Sequence, residues 1–192
     1  MTISTTHTRE KILSTAEELI YQNGIQATGM DLLVKSSGVA RKSIYRYFAT
    51  KDDVAAAALS ARDVRWMAWF RAESDKADTP EARILNMFDV LKGWFDSEGF
   101  RGCAFINTAG EVGDPQHPIR LIAKLHKQKL LEYTFELCEQ LAVADPEALA
   151  NQLLVLMDGA ITVARVMGDH SSADSAKAVA QLVLEQRLRP GS

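Results

Sequence analysis

Residues 28–51, which read TGMDLLVKSSGVARKSIYRYFATK, are the most informative stretch of the sequence. Two short apolar segments in this stretch are joined by a turn at residues 36–39, whose glycine can adopt a positive φ angle without a steric penalty. In the second segment, residues 40–48, Ile44 and Phe48 stand four positions apart and therefore share one face of a helix. A short helix, a glycine-containing turn and a second helix are the parts of a helix-turn-helix.

The second helix of this motif carries hydrogen-bond donors opposite its apolar face. We expect Val39, Ile44 and Phe48 to be buried. The residues expected to face outward are Arg41, Lys42, Ser43, Tyr45 and Arg46. Arginine makes bidentate contacts with guanine, lysine and serine reach base edges or phosphates, and a tyrosine hydroxyl hydrogen-bonds phosphate. The pattern therefore predicts a recognition helix for the major groove of double-stranded DNA.

The same residues closely resemble the signature of the tetracycline-repressor (TetR) family. The Gly-Val turn at residues 38–39, the Ile-Tyr-Arg-Tyr-Phe run at residues 44–48 and the later Lys51 all match the family's pattern. With the flanking helices, the resemblance covers about residues 8–58. It implies a DNA-binding transcriptional regulator that acts as a homodimer and responds to a small-molecule effector, most commonly as a repressor.

The resemblance also implies which residues contact DNA. Tyr45, Tyr47 and Lys51 would hold the phosphate backbone. Thr28 with Gly29 would place the N-terminus of the motif's first helix at a phosphate, since backbone N–H groups and the helix dipole favour an anion there. Base reading would fall to Arg41, Lys42, Ser43 and Arg46.

Two positions depart from the family's pattern. Gly29 stands where a capping threonine is usual, which should cost about a few tenths of a kcal/mol. Asp31 stands where a basic residue is common, and we expect an acid there to weaken or redirect contacts at the edge of the groove. The alternative to DNA binding is that the aromatic residues at 45, 47 and 48 are core and that the basic residues merely face solvent.

The remaining chain predicts helices alone. Helix starts are indicated by Thr50 with Asp53 in a capping box, and by Thr-Pro and Asp-Pro pairs at residues 79–80 and 145–146. The expected helices span about 9–23, 30–34, 40–48, 52–74, 80–97, a short segment after 102, 118–142, 146–168, and 172 to just before Pro190. We therefore predict an all-α fold of about nine helices, with a three-helix DNA-binding domain in residues 1–53 and a larger effector-binding and dimerisation domain in residues 54–192.

The basic residues are unevenly distributed in a chain whose formal net charge is −3. Residues 35–51 contain five basic side chains and no acidic one, whereas acidic residues outnumber basic ones beyond residue 55. A basic stripe on an acidic body favours a face that meets phosphates, and a helical ligand-binding protein without a DNA function would not need it. The polar N-terminus, the presence of only two cysteines and the lack of an apolar run near 18 residues predict a cytoplasmic protein that has no disulfide and does not enter a membrane.

Two apolar stripes near the C-terminus predict a dimer interface. The first comprises Leu149, Leu153, Leu156, Ala160, Val163 and Met167, with Gly159 allowing close approach, and the second comprises Val179, Ala180, Val183, Leu184 and Leu188. The alternative is that these stripes only fill the core of one subunit. TetR-like proteins pair through these two helices, and pairing lets a dimer read two half-sites.

The helices between the two predicted regions carry an aromatic interior. The residues expected to bind an effector are Trp66, Phe70, Phe88, Trp94, Phe105, Asn107, His126 and Tyr133. A mostly apolar lining with a few polar groups suits a small, largely apolar molecule, which Asn107 and His126 would orient. The alternative is that the aromatic residues are plain core. The expected mechanism is release of the repressor from its operator when this effector binds.

Other chemistries have weaker support. Cys103, near the expected start of a helix whose dipole lowers a thiol pKa, leaves open a regulator that senses thiol oxidation. No His-Glu-x-x-His, Gly-x-Ser-x-Gly or phosphate-loop motif occurs, so we expect neither an enzyme nor a cofactor. His117 and His126 lie nine residues apart, too far for ligands on adjacent helix turns. A metal site completed by Asp114 or Glu111 is therefore not expected.

Overall fold

The computed structural model describes residues 2–188, and in that part of the chain all regular structure is helical. The nine helices there are α1 (Thr2–Asn23), α2 (Met30–Ser37), α3 (Arg41–Tyr45), α4 (Lys51–Ser74), α5 (Pro80–Phe95), α6 (Ala104–Glu111), α7 (Pro118–Cys138), α8 (Pro146–Met167) and α9 (Ser172–Arg187). The predicted all-α fold of about nine helices is therefore confirmed. Pro190, before which the last helix is expected to end, lies outside the described residues.

The helix starts follow the capping residues that the sequence predicts. At α4 the amide of Thr50 donates to Oδ2 of Asp53 at 2.9 Å, and the amide of Asp53 donates to Oγ1 of Thr50 at 3.1 Å. At α5 the hydroxyl of Thr79 accepts from the third following amide at 3.2 Å. At α8 the carboxylate of Asp145 does the same at 2.9 Å. Each cap satisfies a backbone donor that the first helical turn leaves without an intrahelical partner.

Several helices differ in length from the prediction. α1 begins at Thr2 rather than near residue 9. α3 stops at Tyr45, because the amides of Arg46 and Tyr47 bond to carbonyls three residues back and tighten the chain out of the α-helix. α7 ends at Cys138 rather than near residue 142, and the same three-residue pattern follows it. The number and order of the elements are as predicted.

The chain divides into two units by its contacts. The first unit comprises the residues up to 65 and residues 104–126, and the second comprises residues 66–103 and those from 127 onward. The first unit therefore holds α1–α3, most of α4, α6 and the first part of α7. The functional division at residues 53 and 54 stays a prediction, because this grouping reflects contacts alone.

The core of the first unit carries the helix-turn-helix. Its buried side chains come from α1, α2, α3, α4 and the chain between them, and are Ile12, Leu13, Ala16, Leu33, Val39, Ile44, Phe48, Val54 and Ala58. Full burial of one large aliphatic or aromatic side chain contributes ~1.5–3 kcal/mol. α1 and α4 thus provide the platform on which α2 and α3 pack.

In the second unit, α8 packs against α9 and α5. The α8 side chains that are buried are Leu149, Ala150, Leu153, Met157, Ala160, Ile161 and Ala164. Several members of the predicted dimer stripes, including Leu149, Leu153 and Leu184, therefore fill the core of their own subunit, and the prediction is wrong for them. The physical reason is that α8 and α9 carry apolar residues on two faces, so periodicity alone does not tell which face meets the subunit's own core.

α8 is also long and apolar enough to cross a membrane, with a mean hydropathy of 1.3 over an 18-residue window. The expectation that no segment reaches this length is wrong for α8. A core helix of a globular protein passes the same test of length and composition. α8 contains Asp158 and Arg165 and buries one face against its neighbours, as such a core helix does.

Candidate nucleic-acid interface

The helix predicted to read DNA, α3, is anchored from behind by its apolar side chains. Ile44 is completely buried, and Phe48 and Val39 are 7% and 9% exposed. They pack with α1 and α4 in the core of the first unit. The predicted buried face is confirmed, and it fixes which side of α3 points away from the protein.

The turn before α3 requires its glycine. Gly38 has a φ angle of 64°, and its amide donates to the carbonyl oxygen of Val34 at 2.9 Å, which ends α2. A Cβ atom added to Gly38 would meet no atom closer than the Nζ of Lys11, at 3.8 Å. The constraint is therefore the left-handed backbone and not lack of space.

The front face of α3 is cationic. Arg41, Lys42, Tyr45 and Arg46 are exposed, and Ser43 is half-buried. Tyr45 has 46% of its surface exposed. Arg41 and Tyr45 stand four positions apart on α3, as do Lys42 and Arg46 at its C-terminal end, so the members of each pair lie on the same side of this segment. Their contact with DNA remains a prediction.

Asp31, the acidic departure from the family's pattern, is ion-paired with Arg41. The carboxylate lies in the first turn of α2 and is 96% exposed, whereas the side chain of Arg41 is 47% exposed. The acid therefore has a specific partner on the recognition helix. Its charge offsets part of the positive charge that Arg41 brings to the front face.

The N-terminus of α2 is formed by the two residues predicted to place it at a phosphate. Thr28 is buried, and its hydroxyl donates to the carbonyl oxygen of Gly24 at 2.7 Å. Gly29 is the N-cap, in an extended conformation with φ −84° and ψ 165°, and no side chain caps this end of α2. The first amides of α2 therefore keep donors for an anion.

Tyr47 and Lys51, also predicted to bind phosphate, are half-buried. The ring of Tyr47 lies 6.4 Å from that of Phe48. Nζ of Lys51 donates to the carbonyl oxygen of Ile25 at 2.9 Å. Since an ammonium group has three donors, this bond leaves two for a phosphate. Lys51 thus has a structural role at the α1–α2 turn that the sequence does not indicate.

Glu111 is a residue of this region that the sequence does not connect with DNA binding. It ends α6, and its carboxylate accepts hydrogen bonds from the amides of Ile25 and Gln26 at 3.1 and 3.0 Å. The partners are 86 and 85 positions apart in the chain. No local sequence signal predicts such a contact.

Most of the residues predicted to bind an effector lie in the second unit. Trp66 stacks on Phe70 with ring centroids 4.8 Å apart, and it stands edge-on to Trp94 at 5.6 Å. Phe70 meets Tyr133 edge-on at 6.3 Å. We call Trp66, Phe70, Trp94 and Tyr133 the aromatic cluster. Phe88, in the same unit, is 1% exposed and belongs to the core.

Tyr133 gives the aromatic cluster a polar group. Its hydroxyl donates to Oδ1 of Asp75 at 2.9 Å, and the guanidinium of Arg71 lies over its ring, 4.5 Å from the centroid. Burial, and then the hydrogen bond to Asp75, raise the pKa of Tyr133 above its ordinary value of 10.0. The phenol is therefore neutral and acts as a donor at physiological pH.

The other predicted effector residues lie in the first unit. The rings of Phe105 and His126 are stacked, with centroids 3.8 Å apart and planes inclined by 17°. Nδ1 of His126 lies 2.8 Å from Oδ1 of Asp63, and both residues are almost completely buried. Asn107 is half-buried. Phe105 and His126 are thus engaged with each other and with α4.

The histidines weighed as metal ligands meet different carboxylates. Nε2 of His117 lies 3.3 Å from Asp52. His126 is held by Asp63. Within residues 2–188, no group of three or more His, Cys, Asp or Glu side chains is arranged to hold a metal ion.

Both cysteines are buried thiols. Cys103 is 5% exposed and directly precedes α6, close to the helix start that the sequence predicts. Cys138 is fully buried, and burial raises its pKa to about 12. Thiol reagents and oxidants need an accessible thiolate, which a buried thiol does not offer.

The outer faces of α8 and α9 carry exposed apolar side chains. Val155 and Val166 on α8 are 71% and 76% exposed, and Leu182 on α9 is 66% exposed. An open groove of about 610 Å³ on these helices is lined by Asn151, Gln152, Val155, Leu156, Val179, Val183, Gln186 and Arg187. Contiguous exposed apolar surface is typical of interaction sites, so this face is the candidate for the predicted dimer interface.

Two protein-family models match the chain. The model described as "Bacterial regulatory proteins, tetR family" matches residues 12–58, which include α2, α3 and the start of α4. The model described as "Tetracyclin repressor-like, C-terminal domain" matches residues 80–180. The second model alone spans more than half of the chain.

Individual relatives agree with these matches. The HTH-type transcriptional regulator YjdC of Escherichia coli K12 is 26% identical over 185 residues, which cover 95% of this chain and 97% of YjdC. The HTH-type transcriptional repressor NemR of E. coli is 29% identical over 118 residues, 59% of this chain and 58% of NemR. The crystal structure of SCO4454, a TetR-family transcriptional regulator from Streptomyces coelicolor, is similar with a TM-score of 0.89 at 28% identity, covering 96% of this chain and 97% of SCO4454.

Proposed function

Because the chain belongs to the TetR family of bacterial DNA-binding transcriptional regulators, we propose that it is a repressor released from its operator by a small, largely apolar effector. The main support for the proposal is the burial pattern of α3 and the residue after it. Ile44 is fully buried, whereas Lys42 and Arg46 are exposed. A cationic helix face held by its own core is what recognition in the major groove requires.

The proposed contacts with DNA divide by type. The residues proposed to read base edges are Arg41, Lys42, Ser43 and Arg46. The residues proposed to bind phosphates are Tyr45, Tyr47 and Lys51, together with Thr28 and Gly29 at the N-terminus of α2. Phosphate contacts set the register of the protein on the duplex, and base contacts supply its sequence preference.

The active species in this proposal is a homodimer, as TetR regulators act. One five-residue recognition helix reads few bases, so two subunits bind half-sites about 34–36 Å apart, or a multiple of that distance. The outer faces of α8 and α9 supply the interface, with Val155, Val166 and Leu182 as its apolar centre. A second copy of the chain would cover side chains that are now 66–76% exposed.

The effector is proposed to bind at the aromatic cluster. The half-buried rings of Trp66 and Trp94 offer apolar walls, and the Tyr133–Asp75 pair offers a polar end that orients a ligand. Because the effector and the operator favour different states of the dimer, each lowers the affinity for the other by the same factor. Four other residues predicted to bind the effector lie outside this cluster and remain candidates for substitution: Phe88, Phe105, Asn107 and His126.

A thiol-sensing regulator acting through Cys103 is not favoured. Cys103 is 5% exposed, so an oxidant has little access to it. The similarity to NemR covers only 59% of this chain at 29% identity, which is too distant to favour a mechanism shared with that repressor. We further propose that the protein acts by binding alone, without catalysis, and in the cytoplasm, where its operator lies.

A titration tests the proposed function directly. A fluorescently labelled duplex from the intergenic region beside the protein's own gene is titrated with protein, in parallel with a scrambled duplex at the same salt concentration. The proposal predicts binding to the intergenic duplex at least about 10³-fold tighter than to the scrambled one. Equal affinity for both would contradict it. Deleting the gene should raise a reporter driven by that region, whereas a fall would identify an activator.

A further inference from the structure

The carboxylate at the end of α6 is hydrogen-bonded to the backbone of the turn between α1 and α2. Oε1 of Glu111 accepts from the amide of Ile25 at 3.1 Å, and Oε2 accepts from the amide of Gln26 at 3.0 Å. Each oxygen has its own donor, so the two bonds fix the carboxylate in both position and angle. Hydrogen bonds to an ionised acceptor are about twice as strong as neutral ones.

Gly24 makes this close approach possible. Its φ angle is +86°, and its amide ends α1 on the carbonyl oxygen of Ile20 at 2.8 Å. A Cβ atom at Gly24 would lie 2.7 Å from Oε1 and 2.9 Å from Oε2 of Glu111. The glycine therefore serves both the left-handed backbone and the space that the carboxylate occupies.

Two further side chains bind the same turn. The carbonyl oxygen of Ile25 accepts from Nζ of Lys51 at 2.9 Å, and the carbonyl oxygen of Gly24 accepts from the hydroxyl of Thr28 at 2.7 Å. The next residue is Gly29, the N-cap of α2. The backbone that leads into α2 is thus fixed by side chains at successive polar groups.

α6 is itself fixed at both ends within the first unit. Near its start, Phe105 stacks on His126, which is held by Asp63 of α4. At its end, the guanidinium of Arg120 donates to the carbonyl oxygens of Ala109 and Val112, at 3.4 and 2.9 Å. The position of the Glu111 carboxylate is therefore set by α4 and α7 as well as by the turn that it binds.

We propose that Glu111 is a positioning residue for operator binding: from α6 it holds the α1–α2 turn, and through that turn it sets the N-terminus of α2 and the placement of α3. The inference rests on the proposed function and deepens it. Any shift of α6 changes the geometry of two hydrogen bonds at the base of the DNA-binding helices, which makes this carboxylate a point of control over operator affinity.

Simple electrostatics predicts the opposite change in DNA affinity, so a test can distinguish the two explanations. Removing a negative charge from a DNA-binding protein should strengthen its binding to DNA or leave it unchanged. Loss of a positioning contact should weaken binding despite the more favourable charge. Glu111→Gln keeps the size of the side chain and removes the charge, so the two explanations separate cleanly. Glu18→Gln, at an exposed position on α1, removes the same charge without touching the turn.

The experiment compares the full-length wild type, Glu111→Gln, Glu111→Ala and Glu18→Gln in titrations of the intergenic duplex. We expect both Glu111 variants to lose about 10-fold or more in operator affinity, and Glu18→Gln to bind as tightly as the wild type or more tightly. Hydrogen exchange of the free proteins should show faster exchange of the Ile25 and Gln26 amides in both Glu111 variants. The amides within α4 should keep their wild-type protection, which shows that the core of the first unit remains folded.

Each outcome decides the matter. Wild-type affinity in both Glu111 variants overturns the positioning role while leaving the proposed function intact. Unchanged exchange at Ile25 and Gln26 also overturns it, because the turn is then held without the carboxylate. A wild-type protein that does not prefer the intergenic duplex overturns the proposed function and this inference together.

Discussion

The guanidinium of Arg41 is ion-paired with the carboxylate of Asp31, which ties the first residue of α3 to the first turn of α2. Both side chains are substantially exposed, so the pair contributes about 0–1 kcal/mol to stability. We expect its main effect to be on DNA binding. The carboxylate holds Arg41 in one orientation and offsets the charge that would otherwise attract any phosphate.

Substituting Asp31→Asn should therefore lower specificity. We expect tighter binding to scrambled DNA, with a salt dependence steeper by about one phosphate contact, and a smaller preference for the operator. The measurement is a pair of titrations, operator and scrambled duplex, across a series of salt concentrations. Asp78→Asn, at an exposed position between α4 and α5, is the charge-matched control. An unchanged preference with an unchanged salt slope would refute the role of Asp31.

Arg46→Ala should lower operator affinity without lowering the stability of the folded protein. The side chain is exposed, so its removal should leave the melting temperature nearly unchanged. A lost bidentate contact to a base costs ~1–3 kcal/mol, which is a fall in affinity of about 5-fold to 150-fold. Lys124→Ala, at an exposed position on α7, controls for the lost charge. Equal operator affinity of Arg46→Ala and the wild type would show that Arg46 does not contact the operator.

Ile44→Ala should destabilise the DNA-binding helices from within. Ile44 is fully buried, and truncation of such a side chain to alanine typically costs ~2–5 kcal/mol. Chemical denaturation should show a lower midpoint, and operator binding should fall with it. Val64→Ala, where the side chain is 65% exposed, should leave both properties near wild type. A stable Ile44→Ala protein would mean that α3 is not anchored as described.

Neither cysteine should react with thiol reagents in the native state. Burial raises the pKa of Cys138 to about 12, so at pH 8 the residue is a neutral, inaccessible thiol. Because the Cys138 thiol ionises more easily in the unfolded chain, the free energy of unfolding should be unaffected below the ordinary thiol pKa of 9.0 and should fall as the pH rises from there toward 12. A colorimetric thiol assay at pH 8 should detect neither cysteine until denaturant is added. Release of the operator by peroxide, abolished by Cys103→Ser, would instead establish the thiol-sensing alternative.

Val155→Glu should separate the subunits. Val155 is 71% exposed on the outer face of α8, and a charge there opposes burial against a second copy. Light scattering coupled to gel filtration should show a monomer, and operator affinity should fall because one recognition helix remains. The matched control is Val64→Glu on α4, which should stay dimeric. A dimeric Val155→Glu protein would place the interface elsewhere.

The helix-turn-helix could be predicted because its signals are local. Ile44 and Phe48 define a helix face by their spacing, and Gly38 marks a backbone angle that other residues rarely adopt. The capping pair Thr50–Asp53 likewise depends only on neighbours in sequence. These features depend on periodicity and backbone sterics, which a single sequence contains in full.

The remaining features depend on contacts that periodicity does not encode. Glu111 meets a turn more than 80 positions away, so nothing near it in the sequence marks its role. α8 is apolar on two sides, and only packing shows that Leu153 faces its own core while Val155 faces solvent. The rings of Phe105 and His126 are engaged with each other, which their positions in apolar helical runs do not reveal.

In the proposed complex, two copies of α3 read DNA with their exposed cationic face. Hydroxyl-radical footprinting of the intergenic duplex can detect this arrangement, with the wild type beside the double variant Arg41→Ala/Arg46→Ala. We expect two protected half-sites, centred one helical turn of about 10 base pairs apart or a multiple of it, which vanish in the double variant at the same protein concentration. A wild-type footprint that the double variant reproduces in full would contradict it.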